Sequence, residues 1–298
     1  MRIFAPTSLS LSARRSDQYA LETAGAWLSS LRNALPSPTY ETRAIRPLCR
    51  GGRCERAGGY RRGMSEALDV LAVAKTVATT RFPIERASVG GVDRASGRWV
   101  RVVPFAFGER DFEPPVRKWS WLQVSGEWRA GDPRPESFRP EGAVREVGYV
   151  DAKDGWKLRW PFVRPHLRES LELLAQLARG GVATTGFVRP APGASIAIDS
   201  MTLRMRCLSE SCREDHALPI LDWEVRETTR ALHEREPLTW RAKAQAMWGP
   251  AFFERFDVHV LVSSYAQAPA RFYVAGLFYP PKTAESAEQH AAHAHRAS

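Results

Sequence analysis

RASVGGVDRASGRWVRVVPF, residues 86–105, is the stretch whose reading decides the fold. β-branched and aromatic residues fill both ends, which suits a pleated, half-buried surface. Between them Asp93 and Gly97 bracket DRASG, a turn composition that folds one strand back on the other. The segment predicts a hairpin of strands 86–93 and 98–105. Within the second strand, alternation puts Arg98 and Val100 on one face and Trp99 and Arg101 on the other.

Working outward, the same pattern recurs at short intervals. LDVLAVAKT (68–76) precedes the hairpin, and WSWLQVSGEWRA (119–130), AVREVGYVD (143–151) and GWKLRWPFV (155–163) follow it as expected strands. HLRESLELLAQLAR (166–179) carries leucines on one stripe and stops at Gly180–Gly181, which predicts a helix. Strands are expected again at 182–190, 195–200 and 202–207, two helices at about 220–235 and 238–248, and closing strands at 257–265 and 271–280. Short strands separated by turn signals argue for small β-barrels rather than a βαβ layout. The expected class is mainly β with helical insertions (α+β), arranged as two OB-like small barrels.

The chain has 298 residues, 44% hydrophobic and 26% charged, ordinary values for a globular protein with ample core. The sequence lacks an apolar run of about 18 residues, so no membrane span is expected. The opening segment lacks the apolar core of a signal peptide, because Pro6, Thr7 and serines interrupt it. A cytoplasmic location follows, where the four cysteines are expected to be free or metal-bound. Residues 1–63 hold eleven arginines, four acidic residues and no lysine, and so carry most of the net charge of +10. That composition predicts a disordered extension or a start of translation at Met64. The expected bodies are then 64–165, a first barrel, and 166–281, a second barrel with the helical insertion. The stretch 282–298 reads as a disordered tail whose HAAHAH run could bind metal weakly.

Four stretches resemble a family of uncharacterised bacterial proteins described as dual OB-fold domains. They are GGVDRASGRWVRVVPF (90–105), DPRPES (132–137), CLSESCREDH (207–216) running into ILDWEV (220–225), and FYVAGLFYPPK (272–282). The sequence departs from the family pattern at Ser88–Gly91, where a cysteine or similar small residue is expected before the glycine. The resemblance implies two OB-type barrels, a fold that often presents a strand face to single-stranded nucleic acid or oligosaccharide. Such a groove needs cations for the backbone and aromatics for the bases. The expected contacts are Arg98, Arg101, Lys118, Trp121, Arg129, Arg134, Lys157 and Arg159. The competing expectation is that the tryptophans fill the barrels.

Cys207, Cys212 and His216 are spaced C-x4-C-x3-H between an expected strand and helix. Thiolate and imidazole donors on so short a loop suit zinc, and a structural site needs a fourth protein ligand. Asp215 and Asp222 are local candidates, His233 and His259 distant ones. The alternative is a polar turn with two reduced thiols. Cys49 and Cys54 lack an accompanying histidine and are read as a chance pair. Asp222 and Glu224 open a helix, where capping explains them, and two positions on a helix point too far apart to share one ion. DPRPESFRPEG (132–142) is a stiff loop, either a binding loop or a connector whose Arg134 pairs with a carboxylate. The expected function is non-catalytic binding of single-stranded nucleic acid, as an accessory in bacterial genome maintenance or defence. A metal-dependent nuclease and a protein-interaction scaffold are the alternatives.

Overall fold

The expected hairpin is present as β2 (Ser88–Asp93) and β3 (Trp99–Val102), antiparallel with Gly91 opposite Val100. The computed structural model describes residues 65–79, 83, 85–105, 116–128 and 132–283. The N-terminal stretch with Cys49 and Cys54, the tail beyond Thr283, and Arg129 lie outside those residues. β1 (Glu66–Thr76) pairs through its C-terminal half with β2 and through its N-terminal half with β4 (Ser120–Trp128). Its register with β2 shifts between Ala72 and Ala74, and such an irregularity bends a strand enough to serve two neighbours. A Cβ at Gly91 would lie 2.0 Å from the Leu71 carbonyl oxygen, so β1 can approach β2 this closely only over glycine.

β5 (Ser137–Pro140) lies parallel to β3 and antiparallel to β4, which closes the ring β1-β2-β3-β5-β4-β1. This is a five-stranded OB-type barrel with β6 (Arg145–Tyr149) added on the edge of β4. Inside it, Leu68, Val70, Val100, Val102, Leu122 and Phe138 pack together at 6% exposure or less. Each belongs to the inward set of an alternating strand, as the pattern required.

The second half repeats the order. β7 (Leu167–Arg168) lies parallel to β8 (Thr185–Val188), which pairs with β12 (His259–Tyr265) and through it with β13 (Ala268–Phe278). β9 (Ser195–Ala197), β10 (Thr202–Met205) and β11 (His216–Pro219) form a three-stranded sheet. Isolated bridges join the two sheets: Pro190 to Cys207, and Ile220 parallel to Val274. The resulting ring β8-β10-β11-β13-β12-β8 matches the first, with its parallel contact again between third and fifth strands. α1 (Leu171–Arg179) precedes β8, and α2 (Trp223–Arg235), α3 (Trp240–Trp248) and α4 (Pro250–Arg255) fill the interval between β11 and β12.

Three expectations are corrected. Residues 155–163 are not a strand: short helical turns occupy Lys153–Trp156 and Trp160–Val163. Asp154, Gly155 and Trp156 have φ of 53°, 64° and 67°, a left-handed run that no strand accommodates. The helix expected from His166 begins only at Leu171, where the Ser170 hydroxyl caps it by accepting from Leu173 N, and β7 takes the preceding residues. β5 and β11 are strands where a proline-rich loop and a cysteine loop were expected.

All described residues fall within one compact unit, 62–298. The outward faces of β1, β2 and β3 are buried against the second ring, where Leu71, Val92 and Trp99 pack with Phe187, Leu261, Tyr273 and Phe278. Polar groups cross the same junction. Glu85 receives Arg101 and Arg134, each at 2.7 Å, and Arg134 also donates to the Ser264 carbonyl of β12. Glu136 accepts from Thr184 N at 2.6 Å and from its hydroxyl at 2.8 Å. Glu85 is 3% exposed, so its removal takes the carboxylate from buried Arg101 and one of the two carboxylates from buried Arg134. Glu85→Ala is expected to lower stability by about 3–5 kcal/mol in denaturant titration. A loss below about 1 kcal/mol would show that this network contributes little.

Candidate functional site

Cys207, Cys212 and His216 converge, and the structure adds a fourth group that the sequence did not reveal. Glu172, in the first turn of α1, completes a set whose donor atoms all lie within 4.8 Å of one another. Cys212 Sγ is 3.3 Å from His216 Nε2, which is 3.5 Å from Glu172 Oε1. Donors around a tetrahedral zinc with bonds of about 2.0–2.3 Å sit roughly 3.3–3.8 Å apart, so these separations suit a small divalent ion. Cys207 Sγ accepts from Leu171 N at 3.4 Å, and Cys212 Sγ from Cys207 N at 3.1 Å. Burial pushes the Cys207 thiol well above its ordinary value, the direction a bound cation would reverse. Both Glu172 carboxylate oxygens are out of solvent; desolvation would raise the carboxyl, but its own backbone N–H, Ser170, His216 and Cys212 hold it below its ordinary value, charged and ready to meet a cation.

None of the four expected fourth ligands is near. Asp215 is exposed beside Arg206 at 3.7 Å. Asp222 caps α2, accepting from Glu224 N and Val225 N. His259 lies 3.4 Å from Asp257, and His233 stacks edge-on against Trp240. Glu172 escaped notice because it precedes Cys207 by 35 residues and follows a serine cap, where an acidic residue is already explained by the helix dipole.

The cations expected on a binding surface divide sharply. Arg101 and Arg134 are buried on Glu85, and Arg134 is further paired with Asp132 at 3.0 Å. Arg159 is buried between Trp119 and Trp156, its guanidinium 4.7 and 4.6 Å from their ring centroids, and donates to Tyr149 Oη. Arg98 and Lys157 are exposed, Arg98 above the Trp128 ring at 5.4 Å. Trp121 is half-buried under the Arg94 guanidinium at 4.1 Å. On the second ring, alternation along β10 and beyond turns Arg204 and Arg206 outward, beside exposed Ala217 and Pro219 of β11. Arg213 is exposed in the intervening loop. Those arginines drew no notice in the sequence because they lack aromatic neighbours.

Lys118 is placed differently from expectation, and so are the two helix-opening carboxylates. Its ammonium lies 2.8 Å from both Asp222 Oδ2 and Glu224 Oε2. Asp222 stands at the cap, outside the helix proper, so the divergence of helical positions does not apply and the pair converges on one cation. Leu277 N also donates to Asp222 Oδ2, and the Tyr279 hydroxyl to Glu224. The junction thereby ties α2 to β13 and to the start of β4.

Fold and site together define a β-barrel protein of the OB type with a mixed thiolate, imidazole and carboxylate cluster. Residues 66–165 match a family model described as Domain of unknown function (DUF8758), and residues 200–296 one described as Domain of unknown function (DUF8757). The first match takes in the whole first ring, and the second runs from β10 past β13. No curated protein matches the sequence. Among solved structures, a chain of a replication protein A heterotrimer bound to ssDNA is similar at 10% identity with a TM-score of 0.31. The match covers 84% of this chain and 55% of that one, so this chain spans about half of its length. Among the described residues no helix is long and apolar enough to cross a membrane.

Beside the Lys118 junction, burial and then the Lys118 charge lower Lys75 to about 8, against the opposing pull of Asp222, Glu224 and Glu227. Its ammonium sits 3.8 Å from the Trp223 ring centroid. Below about 8 the folded chain must bury a charge that the unfolded chain hydrates, and above the ordinary 10.5 the group is neutral in both. Stability contributed at Lys75 therefore rises between those values. Lys75→Met is expected to stabilise the protein by roughly 1–3 kcal/mol at neutral pH, measured by denaturant titration. The gain should vanish towards pH 10.5. A gain constant across that range would rule out charge burial as its cause.

Proposed function

We propose that the chain is a non-catalytic protein of the dual OB-fold kind that binds single-stranded nucleic acid on the outer face of β9, β10 and β11. The observation that carries this reading is an asymmetry between the two rings. OB barrels present the face of their second and third strands to oligonucleotides. In the first ring that face is β2–β3, and it is sealed against β12 and β13. In the second ring the corresponding strands are β10 and β11, whose outer face is open and carries Arg204 and Arg206. Arg204 lies between Ala217 and Ser195 in register, so small neighbours leave room for a phosphate backbone to reach it. Arg98 over Trp128 and Arg94 over Trp121 offer secondary contacts on the first ring, and Lys157 a further exposed charge.

The cofactor in this reading is zinc, held by Cys207, Cys212 and His216. Two thiolates and an imidazole suit a borderline-soft ion, and Glu172 as a fourth donor would fill the tetrahedral position that a reacting water needs. The carboxylates nearest the helix start, Asp222 and Glu224, are engaged by Lys118, which supports binding over hydrolysis.

Filter binding of a labelled single-stranded oligonucleotide across a salt series tests the reading. Affinity should fall with salt at a slope of about −0.7 per phosphate neutralised, and Arg204→Ala should reduce that slope by about one contact. Absence of binding at about 50 mM salt would overturn the proposal. Elemental analysis of protein purified without chelator should find one zinc per chain, lost in Cys207→Ser.

A further inference from the structure

The metal-competent cluster and the arginine face share one hairpin. Along the extension of β10 the order is Arg204, Met205, Arg206, Cys207, with the arginines outward and Met205 and Cys207 buried. His216, the first residue of β11, stands opposite Met205. Arg213 directly follows Cys212, and the Arg206 guanidinium donates to the Cys212 carbonyl at 3.2 Å. Arg206 and Arg213 are therefore each bonded or adjacent to a donor residue.

The same hairpin end closes the second ring. Cys207 is the residue that bridges to Pro190, flanked by backbone bonds from Ala191 N to Arg206 O at 2.8 Å and from Leu208 N to Arg189 O at 2.7 Å. This is an isolated bridge, not a ladder, so little backbone pairing holds β10 to β8 here. Glu172 is the one donor of the four that comes from outside the hairpin and its loop. Its two oxygens are out of solvent, and His216 Nε2 stands 3.5 Å from Oε1. An ion bound to all four donors would cross-link α1 to the hairpin beside one of the two isolated bridges that close the ring.

We propose that a thiophilic divalent ion, with Glu172 as its fourth ligand, locks the β10–β11 hairpin to α1 and thereby sets the nucleic-acid affinity of the arginine face. Metal and nucleic acid then bind with positive coupling, although the ion touches no nucleotide. This rests on the β9–β11 face being the nucleic-acid surface. Without the ion, the hairpin samples other arrangements, and apparent affinity falls by the fraction of time it spends in the competent one.

The test uses the full chain, zinc-loaded or stripped by chelator under reducing conditions. If the stripped hairpin is competent about a tenth of the time, Kd for a single-stranded oligonucleotide rises about tenfold, and zinc restores it. Glu172→Gln should lose zinc and affinity together, although residue 172 lies off the face. Arg204→Ala should lose affinity while keeping one zinc per chain. Cobalt in place of zinc should give a thiolate charge-transfer band, with ligand-field bands altered in Glu172→Gln. Amide exchange should rise at 202–218 on stripping while β1–β5 stay protected. Exchange rising throughout the chain would overturn a local lock. Unchanged Kd in the stripped chain, or no metal uptake, would overturn the coupling and leave nucleic-acid binding standing. Failure of the zinc-loaded chain to bind any oligonucleotide at about 50 mM salt would overturn the binding reading itself.

Discussion

Glu85, 3% exposed, takes two guanidinium groups on one carboxylate, and much of the molecule follows from that arrangement. A buried carboxylate needs its charge met, and a buried guanidinium needs its donors used. Arg101 comes from β3 and Arg134 from the loop before β5, so both strands of the first barrel's parallel closure are drawn to one point. Arg134 then reaches the backbone of β12, and Asp132 balances its second edge. The polar network and the packing of Trp99 on Phe187 and His166 hold the same interface. A face that could have met a ligand is instead the seam between two barrels.

The Lys118 junction is the counterpart on the far side of β1. Asp222 serves at once as helix cap, acceptor for Leu277 N and partner of Lys118, and is fully buried while doing so. Satisfying one carboxylate from three elements fixes the direction of α2 relative to β13. It also removes the acidic pair from any role that needs open coordination. The donors that remain are those of the thiol cluster, which face inward at the hairpin end.

Much of the fold was legible because alternation is local. β1, β2, β4, β8, β12 and β13 appear where period-two patterns put them, within a few residues. Short or atypical strands were not legible. β5 is four residues ending in proline, and β11 lies among the polar residues that follow a cysteine loop, so neither shows a period. The 155–163 segment alternates like a strand yet turns, because Trp156 and Trp160 find their partner in Phe278 at 5.1 and 4.9 Å. That contact is tertiary, and no local pattern encodes it. The site was half legible: two thiols and an imidazole in ten residues announce themselves, while a lone glutamate on a distant helix does not.

The sequence by itself determined the class of fold and three members of the donor cluster. Both are written in near neighbours, through side-chain alternation and through ligand spacing on one loop. Tertiary structure alone decided which cations are buried, which barrel face is open and which carboxylate completes the cluster. An arginine reads the same in sequence whether it meets solvent or a carboxylate from another strand. Arg101 meets Glu85 under the second ring, whereas Arg204 lies open to solvent.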